Sequence, residues 1–135
     1  MPKKIIINEN GGPGVLKHVE YSLPKEKINE NEIRIKHTSI GVNFIDTYHR
    51  TGLYPINLPA CLGLEAVGVV VDVAPNIKQC VVGDRVGYAA PPLGAYCEIR
   101  DYPAEKIVKI PNEVEDDMAA AVLLKGTTVE YLFNR

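Results

Sequence analysis

The feature that most limits the fold of this chain is a series of short β-type runs separated by glycine- and proline-rich turns. The most pronounced run covers residues 62–73, which are rich in valine and bounded by Pro59 and Pro75. Because valine favours strands and proline interrupts them, this run predicts a strand. Gly63 and Gly68 within it predict bulges or close backbone approaches, not plain ladder positions.

Weaker runs of the same kind predict the other strands. They lie at residues 3–8, 17–21, 32–39, 82–86 (a turn that runs into a strand), 95–100 and 106–110. A Gly-Gly-Pro-Gly loop joins the first two, which indicates a hairpin-like start. Proline-containing connections are predicted at 22–31, at 53–59 and around Pro103.

The character of the sequence changes at Glu115. Acidic residues followed by helix formers predict a helix over residues 116–124, an interruption over 125–128, and a second helical segment over 129–135. Many short strands followed by a helical tail predict a mainly β domain with short helices, arranged as a partly open β-barrel.

Composition excludes several classes of function. The 135 residues form one domain that is long enough for a core, with 46% apolar and 24% charged residues. Fifteen basic and 17 acidic residues give a net charge of −2 without a basic cluster, so no nucleic-acid or membrane partner is indicated. The longest apolar run, 118–124, is too short to cross a bilayer. Three scattered cysteines without a Cys-x-x-Cys pair predict buried thiols and a cytoplasmic location.

Residues 40–55 carry the polar and aromatic side chains that could form a site. The alternation of a strand stops at Gly41, Asn43 is a good N-cap for a short helix, and Gly52 is a typical helix end. Asn, Asp, Thr, Tyr and His on such a helix favour a functional site. The alternative is a solvated connector with one aromatic anchor, and the spacing alone favours that alternative.

The same stretch matches a family pattern, Asn-Phe-x-Asp-x-Tyr-x-Arg-x-Gly-x-Tyr. Every position is filled, by Asn43, Phe44, Asp46, Tyr48, Arg50, Gly52 and Tyr54. In this the chain resembles the zinc-free quinone oxidoreductases, the zeta-crystallin-like branch of the medium-chain dehydrogenases/reductases. The resemblance runs from residues 10–13 to 124–126. It implies a GroES-like catalytic domain over residues 1–124 and, over 125–135, the start of a linker to a Rossmann domain. No Gly-x-Gly-x-x-Gly follows a strand, so we expect an N-terminal fragment without that domain.

The resemblance also implies the activity and the residues that serve it. It implies NADPH-dependent hydride transfer to a quinone, with most of the NADPH site in the Rossmann domain and a homodimer as the full-length enzyme. The implied catalytic residues are Asn43 and Tyr48, and Tyr54 borders the quinone pocket. The implied cofactor-binding residues are Asn43, Phe44, Ile45, Asp46, Thr47, Tyr48, Thr128 and Tyr131. Thr127 and Thr128 could equally serve as caps at the helix interruption.

The sequence argues against a metal and against a phosphate loop. Zinc relatives place ligands at positions held here by Gly41 or its neighbours and by Leu64, none of which can bind zinc. Residues 63–68 resemble a glycine-rich phosphate loop, but Glu65 would repel a pyrophosphate. Glu65 is therefore interpreted as a structural acid satisfied by hydrogen bonds. Without zinc, a quinone requires orientation more than acid catalysis, because it accepts hydride readily.

Two other functions remain open. One is an inactive truncated remnant or a non-enzymatic binding barrel on the same scaffold. The other is a zinc-free reductase of another activated alkene or carbonyl compound. In each case the 135 residues alone are expected to bind NADPH weakly or not at all.

Overall fold

Two antiparallel sheets and two helices make up the fold. A computed structural model describes residues 1–23 and 27–134. The strands are β1 (Lys3–Ile7), β2 (Lys17–Glu20), β3 (Glu32–Gly41), β4 (Ala60–Cys61), β5 (Glu65–Val73), β6 (Arg85–Ala89), β7 (Ile99–Pro103) and β8 (Val108–Lys109), and the helices are α1 (Phe44–Thr51) and α2 (Asp116–Asn134). The smaller sheet has the order β2-β1-β4 and the larger the order β7-β3-β5-β6-β8. The predicted mainly β fold and the hairpin-like start, in which β1 pairs with β2, are confirmed.

The two long central strands, β3 and β5, pair side by side and approach each other closely at a glycine. Gly68 pairs with His37, and the pairing shifts register between His37 and Ser39. A side chain at Gly68 would overlap the carbonyl oxygen of Lys36. Gly63 has a φ of +93° and packs against the ring of Tyr96. Gly68 therefore occupies a close backbone approach, as the sequence predicted, whereas Gly63 lies before the start of β5, where its positive φ and the Tyr96 ring leave no room for a side chain.

The core lies in two clusters on the larger sheet. The first contains apolar residues of β3, β5 and β6 together with Tyr102 of β7. The second is formed by Val67 of β5, Ile110, and Ala119 and Ala120 of α2. Helix α2 therefore packs on the sheet through its first turns.

The strands predicted near residue 100 are shifted. Only Ile99 and Arg100 of the predicted 95–100 strand belong to β7, and Pro103, predicted to lie in a loop, pairs with Glu32 as the last residue of β7. Residues 95–98 instead contact the smaller sheet through a bridge between Lys4 and Cys97. This β-type segment contacts two different sheets, because the chain passes from the smaller sheet to the larger one at this point. The predicted strand at 106–110 is also shorter, because residues up to Lys106 form a 3-10 turn.

The predicted interruption of the helical tail is wrong. Helix α2 is continuous from Asp116 to Asn134. The hydroxyls of Thr127 and Thr128 donate to carbonyl oxygens one turn earlier, at 2.6 and 2.9 Å, so they do not cap a break.

Parts of two predicted segments lie outside the described residues. These are residues 24–26 of the predicted connection and Arg135 of the predicted helix. In the part that the structure describes, neither helix is long and apolar enough to cross a bilayer.

Candidate functional site

Helix α1 is fixed at both ends by its own sequence. Asn43 is the N-cap residue, and its backbone N–H donates to Oδ2 of Asp46 at 2.9 Å, as in a capping box. Gly52 ends the helix in the left-handed conformation, with φ of +84°. The predicted short helix and both of its caps are confirmed.

Asp46 connects this helix to the loop before β7. Its side chain is buried, and Oδ2 also accepts a hydrogen bond of 2.6 Å from the Tyr96 hydroxyl. Burial of the Tyr96 phenol, together with the carboxylate of Asp46, raises the pKa of Tyr96. The other oxygen, Oδ1, is also buried and has no hydrogen-bond partner among the described residues. The Asp46 side chain thus faces inward.

Glu65 is the buried charged group beneath the site. Its side chain has 0% exposure, and Oε2 accepts from Asn43 Nδ2 at 2.7 Å and from Lys125 Nζ at 3.2 Å. Oε1 accepts from the backbone N–H of Leu124 at 2.7 Å. A side chain at Gly41 would overlap this carboxylate, so Gly41 is what allows β3 to pass beside it. The contacts agree with the interpretation of Glu65 as a hydrogen-bonded structural acid.

The amide of Asn43 is held from two sides. Nδ2 donates to Glu65, and Oδ1 accepts from Lys125 Nζ at 2.8 Å. Asn43 is buried, so it anchors the start of α1 and presents little surface to a ligand. Sequence reasoning did not select Lys125 as a site residue, although the Lys-Gly pair belongs to the matched family stretch.

An aromatic cluster forms the accessible face of the site. The rings of Phe44 and Tyr48 meet edge-on with centroids 5.6 Å apart, and the rings of Tyr48 and Tyr54 are tilted at 5.2 Å. Phe44 is 77% exposed and Tyr54 48% exposed, whereas Tyr48 between them is half-buried. Such a surface can accept a flat ring system.

The remaining predicted cofactor residues lie on both helices, two of them on α1 with the cluster and two on α2. Ile45 and Thr47 are half-buried on α1, and the Thr47 hydroxyl donates to Phe44 O at 2.6 Å. Thr128 and Tyr131 are exposed on the later part of α2. The structure thus brings residues 43–48, Tyr54 and Lys125 together, and the roles assigned to all of these residues stay predictions.

His37 and the three cysteines lie away from this cluster, whereas His49 is on α1 with its ring centroid 6.1 Å from that of Tyr54. No group of three or more His, Cys, Asp or Glu side chains within residues 1–23 and 27–134 is arranged to hold a metal ion. His37 is enclosed by Cys97 O and the Tyr88 hydroxyl, at 2.7 and 3.0 Å. The three cysteines are free thiols, and burial raises the pKa of Cys61 to about 11.

Comparison with known proteins places these features in a family. A family model described as the alcohol dehydrogenase GroES-like domain matches residues 29–131. Quinone oxidoreductase of Pseudomonas aeruginosa is 45% identical over 136 residues, which cover 100% of this chain and 41% of that protein. The structure of Escherichia coli quinone oxidoreductase complexed with NADPH has a TM-score of 0.94 at 44% identity, over 98% of this chain and 40% of that one.

A relative with another printed activity is also similar. The 2-haloacrylate reductase of a Burkholderia species is 41% identical over 138 residues, which cover 96% of this chain and 40% of that protein. The chain thus spans about 41% of the length of the quinone oxidoreductases that it matches. Because the family model covers more than half of its residues, the chain belongs to the family of alcohol dehydrogenase GroES-like domains, and it is similar to quinone oxidoreductases along its whole length.

Proposed function

We propose that this chain is the GroES-like part of a zinc-independent, NADPH-dependent quinone oxidoreductase, with residues 1–124 as the domain and 125–135 as the start of a linker. The observation that carries this proposal is the similarity of the whole chain to quinone oxidoreductases, one of which was solved with NADPH. The proposal includes a cytoplasmic location, a homodimeric full-length enzyme and a quinone as the substrate.

The exposed groups of the site fit the nicotinamide end of such a cofactor. The aromatic cluster offers faces for a planar ring and carries the phenol groups of Tyr48 and Tyr54, while the ammonium of Lys125 is bonded to Asn43 at the start of α1. When bound, NADPH supplies a hydride. The protein's own contribution is to orient the nicotinamide and quinone rings relative to each other, because a quinone accepts hydride without strong acid catalysis. Tyr48, which contacts both Phe44 and Tyr54, is the residue best placed to set that orientation.

A fusion protein tests the proposal. The 135 residues are joined to the remaining part of Escherichia coli quinone oxidoreductase, and NADPH oxidation is followed with duroquinone, which is fully substituted and does not add to thiols. We expect turnover, and we expect Tyr48→Ala to lower kcat/KM by about tenfold or more because the central ring of the cluster is removed.

Two further variants separate the ring from its hydroxyl and provide a control. Tyr48→Phe retains the packing and measures the hydroxyl alone. Val82→Ala alters an exposed residue in the turn before β6 and should leave turnover unchanged. An inactive fusion would contradict the proposed function, and full activity of Tyr48→Ala would remove Tyr48 from the site.

A second candidate is the reduction of an activated alkene by the same zinc-free site. The similarity to 2-haloacrylate reductase favours it. Supplying 2-chloroacrylate in place of duroquinone to the same fusion separates the two, since the better substrate has the higher kcat/KM. A fusion that turns over neither compound would leave the non-enzymatic binding barrel as the remaining interpretation.

A further inference from the structure

We propose that Lys125 is a further ligand-binding residue, whose ammonium donates a hydrogen bond to a carbonyl or hydroxyl oxygen of a molecule bound in the groove between the end of β3 and α2. The inference rests on the proposed function and adds to it a fixed cation that the sequence reading did not include.

The ammonium is held in place and still has a free donor. In the described part of the chain it bonds to Asn43 Oδ1 at 2.8 Å and to Glu65 Oε2 at 3.2 Å. A lysine ammonium carries three N–H groups, so one is left. The Lys125 side chain is 51% exposed, whereas that of Glu65 is wholly buried. The third N–H is therefore open to solvent, and hence to a ligand.

The anchors of this ammonium are more rigid than those of a surface ion pair. Glu65 is also fixed by the backbone N–H of Leu124, and Asn43 is the N-cap of α1. A long lysine side chain ordinarily loses rotamer entropy when it binds a ligand. Here Asn43 and Glu65 already restrict it in the folded protein, so a ligand would meet an oriented donor.

The surroundings of the ammonium indicate what kind of oxygen it would meet. An open groove lies between the end of β3 and α2, and it is lined by Ile40, Gly41, Val42, Ala120 and Lys125, with further residues that include Asp117. The lining combines these aliphatic and small residues with the hydroxyls of Thr38 and Ser39 and with the carboxylate of Asp117, which would repel a phosphate. A neutral or partly negative oxygen, as in a carboxamide, a ribose hydroxyl or a quinone carbonyl, fits this combination.

The alternative is that Lys125 only neutralises Glu65. A buried carboxylate without a counter-charge is costly, so Lys125→Met alone would destabilise the protein in either case. The double variant Glu65→Gln with Lys125→Met separates the two explanations. The new amide carries no charge, and its NH2 group can donate to Asn43 Oδ1 once that side chain has rotated. Stability should then recover in part, since the buried charge is gone although Asn43 Nδ2 loses its acceptor, while the ammonium is still missing.

The experiment uses the fusion protein described above, whose other part supplies the rest of the proposed NADPH site, with two probes. Backbone amide NMR spectra are recorded during titration with millimolar NADPH and, separately, with duroquinone, for the unaltered fusion and for three variants. We expect Lys125→Met and the double variant both to weaken the response to at least one probe by about tenfold, although the double variant regains part of the melting temperature that Lys125→Met loses. Lys109→Met, which removes an exposed lysine paired with Asp84, is the matched control and should bind as the unaltered fusion does.

The outcomes show which bound molecule supplies the oxygen, and they separate failure of this inference from failure of the proposed function. Loss of the NADPH response assigns the contact to the cofactor, and loss of the duroquinone response assigns it to the substrate. Binding by the double variant as tight as that of the unaltered fusion, or no response of the unaltered fusion to either probe, overturns the inference. Failure of the proposed function is a separate result, since it would appear as an inactive fusion whose Lys125 is unaltered.

Discussion

The surroundings of His37 in the folded protein determine the protonation state of its ring. Its Nδ1 donates to Cys97 O, so its Nε2 accepts from the Tyr88 hydroxyl when the ring is neutral. The guanidinium of Arg100 also lies near the Tyr88 ring. Burial, together with the charge of Arg100, lowers the pKa of His37 from 6.5 to about 4. The neutral ring is therefore part of the folded core.

This shift predicts a loss of stability in mild acid. Above pH 6.5 the ring is neutral in both states, so it has no effect on the free energy of unfolding. Between pH 6.5 and about 4 the unfolded chain binds a proton that the folded chain does not, and stability falls as the pH decreases. The total loss is up to about 3 kcal/mol, and it stops below pH 4. Melting temperatures measured across this range check the expectation.

A glutamine variant is the control for that measurement. His37→Gln cannot titrate, so its melting temperature should depend less on pH between 6.5 and 4 than that of the native chain. The carboxyl groups of Asp84 and Asp116 have pKa values held below their usual range, so they titrate at lower pH. Identical slopes for both proteins would show that His37 is protonated normally in the folded state.

The site could be predicted only in part, because its key contacts join distant positions. The structural role of Glu65 was predicted from its carboxylate, which rules out a phosphate loop at residues 63–68. Its partners could not be inferred, since Asn43 and Lys125 come together only after α2 packs on the sheet. Likewise, the N-cap role of Asn43 is local in sequence and was predicted, whereas its burial is a tertiary property.

At the scale of elements, local signals succeeded for α1 and failed for α2. Helix α1 carries both of its caps in its own sequence, so its bounds could be predicted. In α2, Gly126 and two threonines reduce helix propensity, and a break was expected. Packing of Ala119 and Ala120 on the sheet and the internal bonds of the threonine hydroxyls outweigh that propensity. The ends of β7 near Pro103 also differ from the prediction. They are set by pairing with β3 and not by the local sequence pattern.

The continuity of α2 predicts that Gly126→Ala stabilises the protein. A glycine inside a helix costs conformational entropy, and alanine in its place should add roughly 0.5 kcal/mol. The new Cβ would lie 3.0 Å from a methyl group of Val122, which is half-exposed and free to rotate away. Chemical denaturation measures the change.

The same substitution at the end of α1 serves as the comparison. Gly52 has a positive φ, so Gly52→Ala should destabilise by about 1 kcal/mol. If Gly126→Ala destabilised the chain as much as Gly52→Ala does, the helix would be broken at Gly126 in solution.

For the molecule as a whole, a run of exposed apolar side chains lies at the end of α2. Val129, Tyr131, Leu132 and Phe133 are each more than half exposed, and Phe133 is 82% exposed. Val129, Leu132 and Phe133 are three and four positions apart, so they form one apolar patch on the helix, and an exposed patch of this kind is uncommon on a soluble monomer. The quinone oxidoreductases that match this chain are more than twice its length, so the corresponding helix in them has further protein available to cover it.

The 135-residue chain is therefore expected to self-associate through this patch. Replacing two of its residues, with Leu132→Lys and Phe133→Glu together, removes apolar area without changing net charge, so the average mass in light scattering should fall towards that of a monomer. The matched control is Val81→Lys with Val82→Glu, which makes the same chemical change at two exposed valines in the turn before β6. Because those valines lie away from α2, the control should associate as the native chain does. A native chain that is already monomeric at high concentration, or a control that dissociates equally, would show that the end of α2 does not drive association.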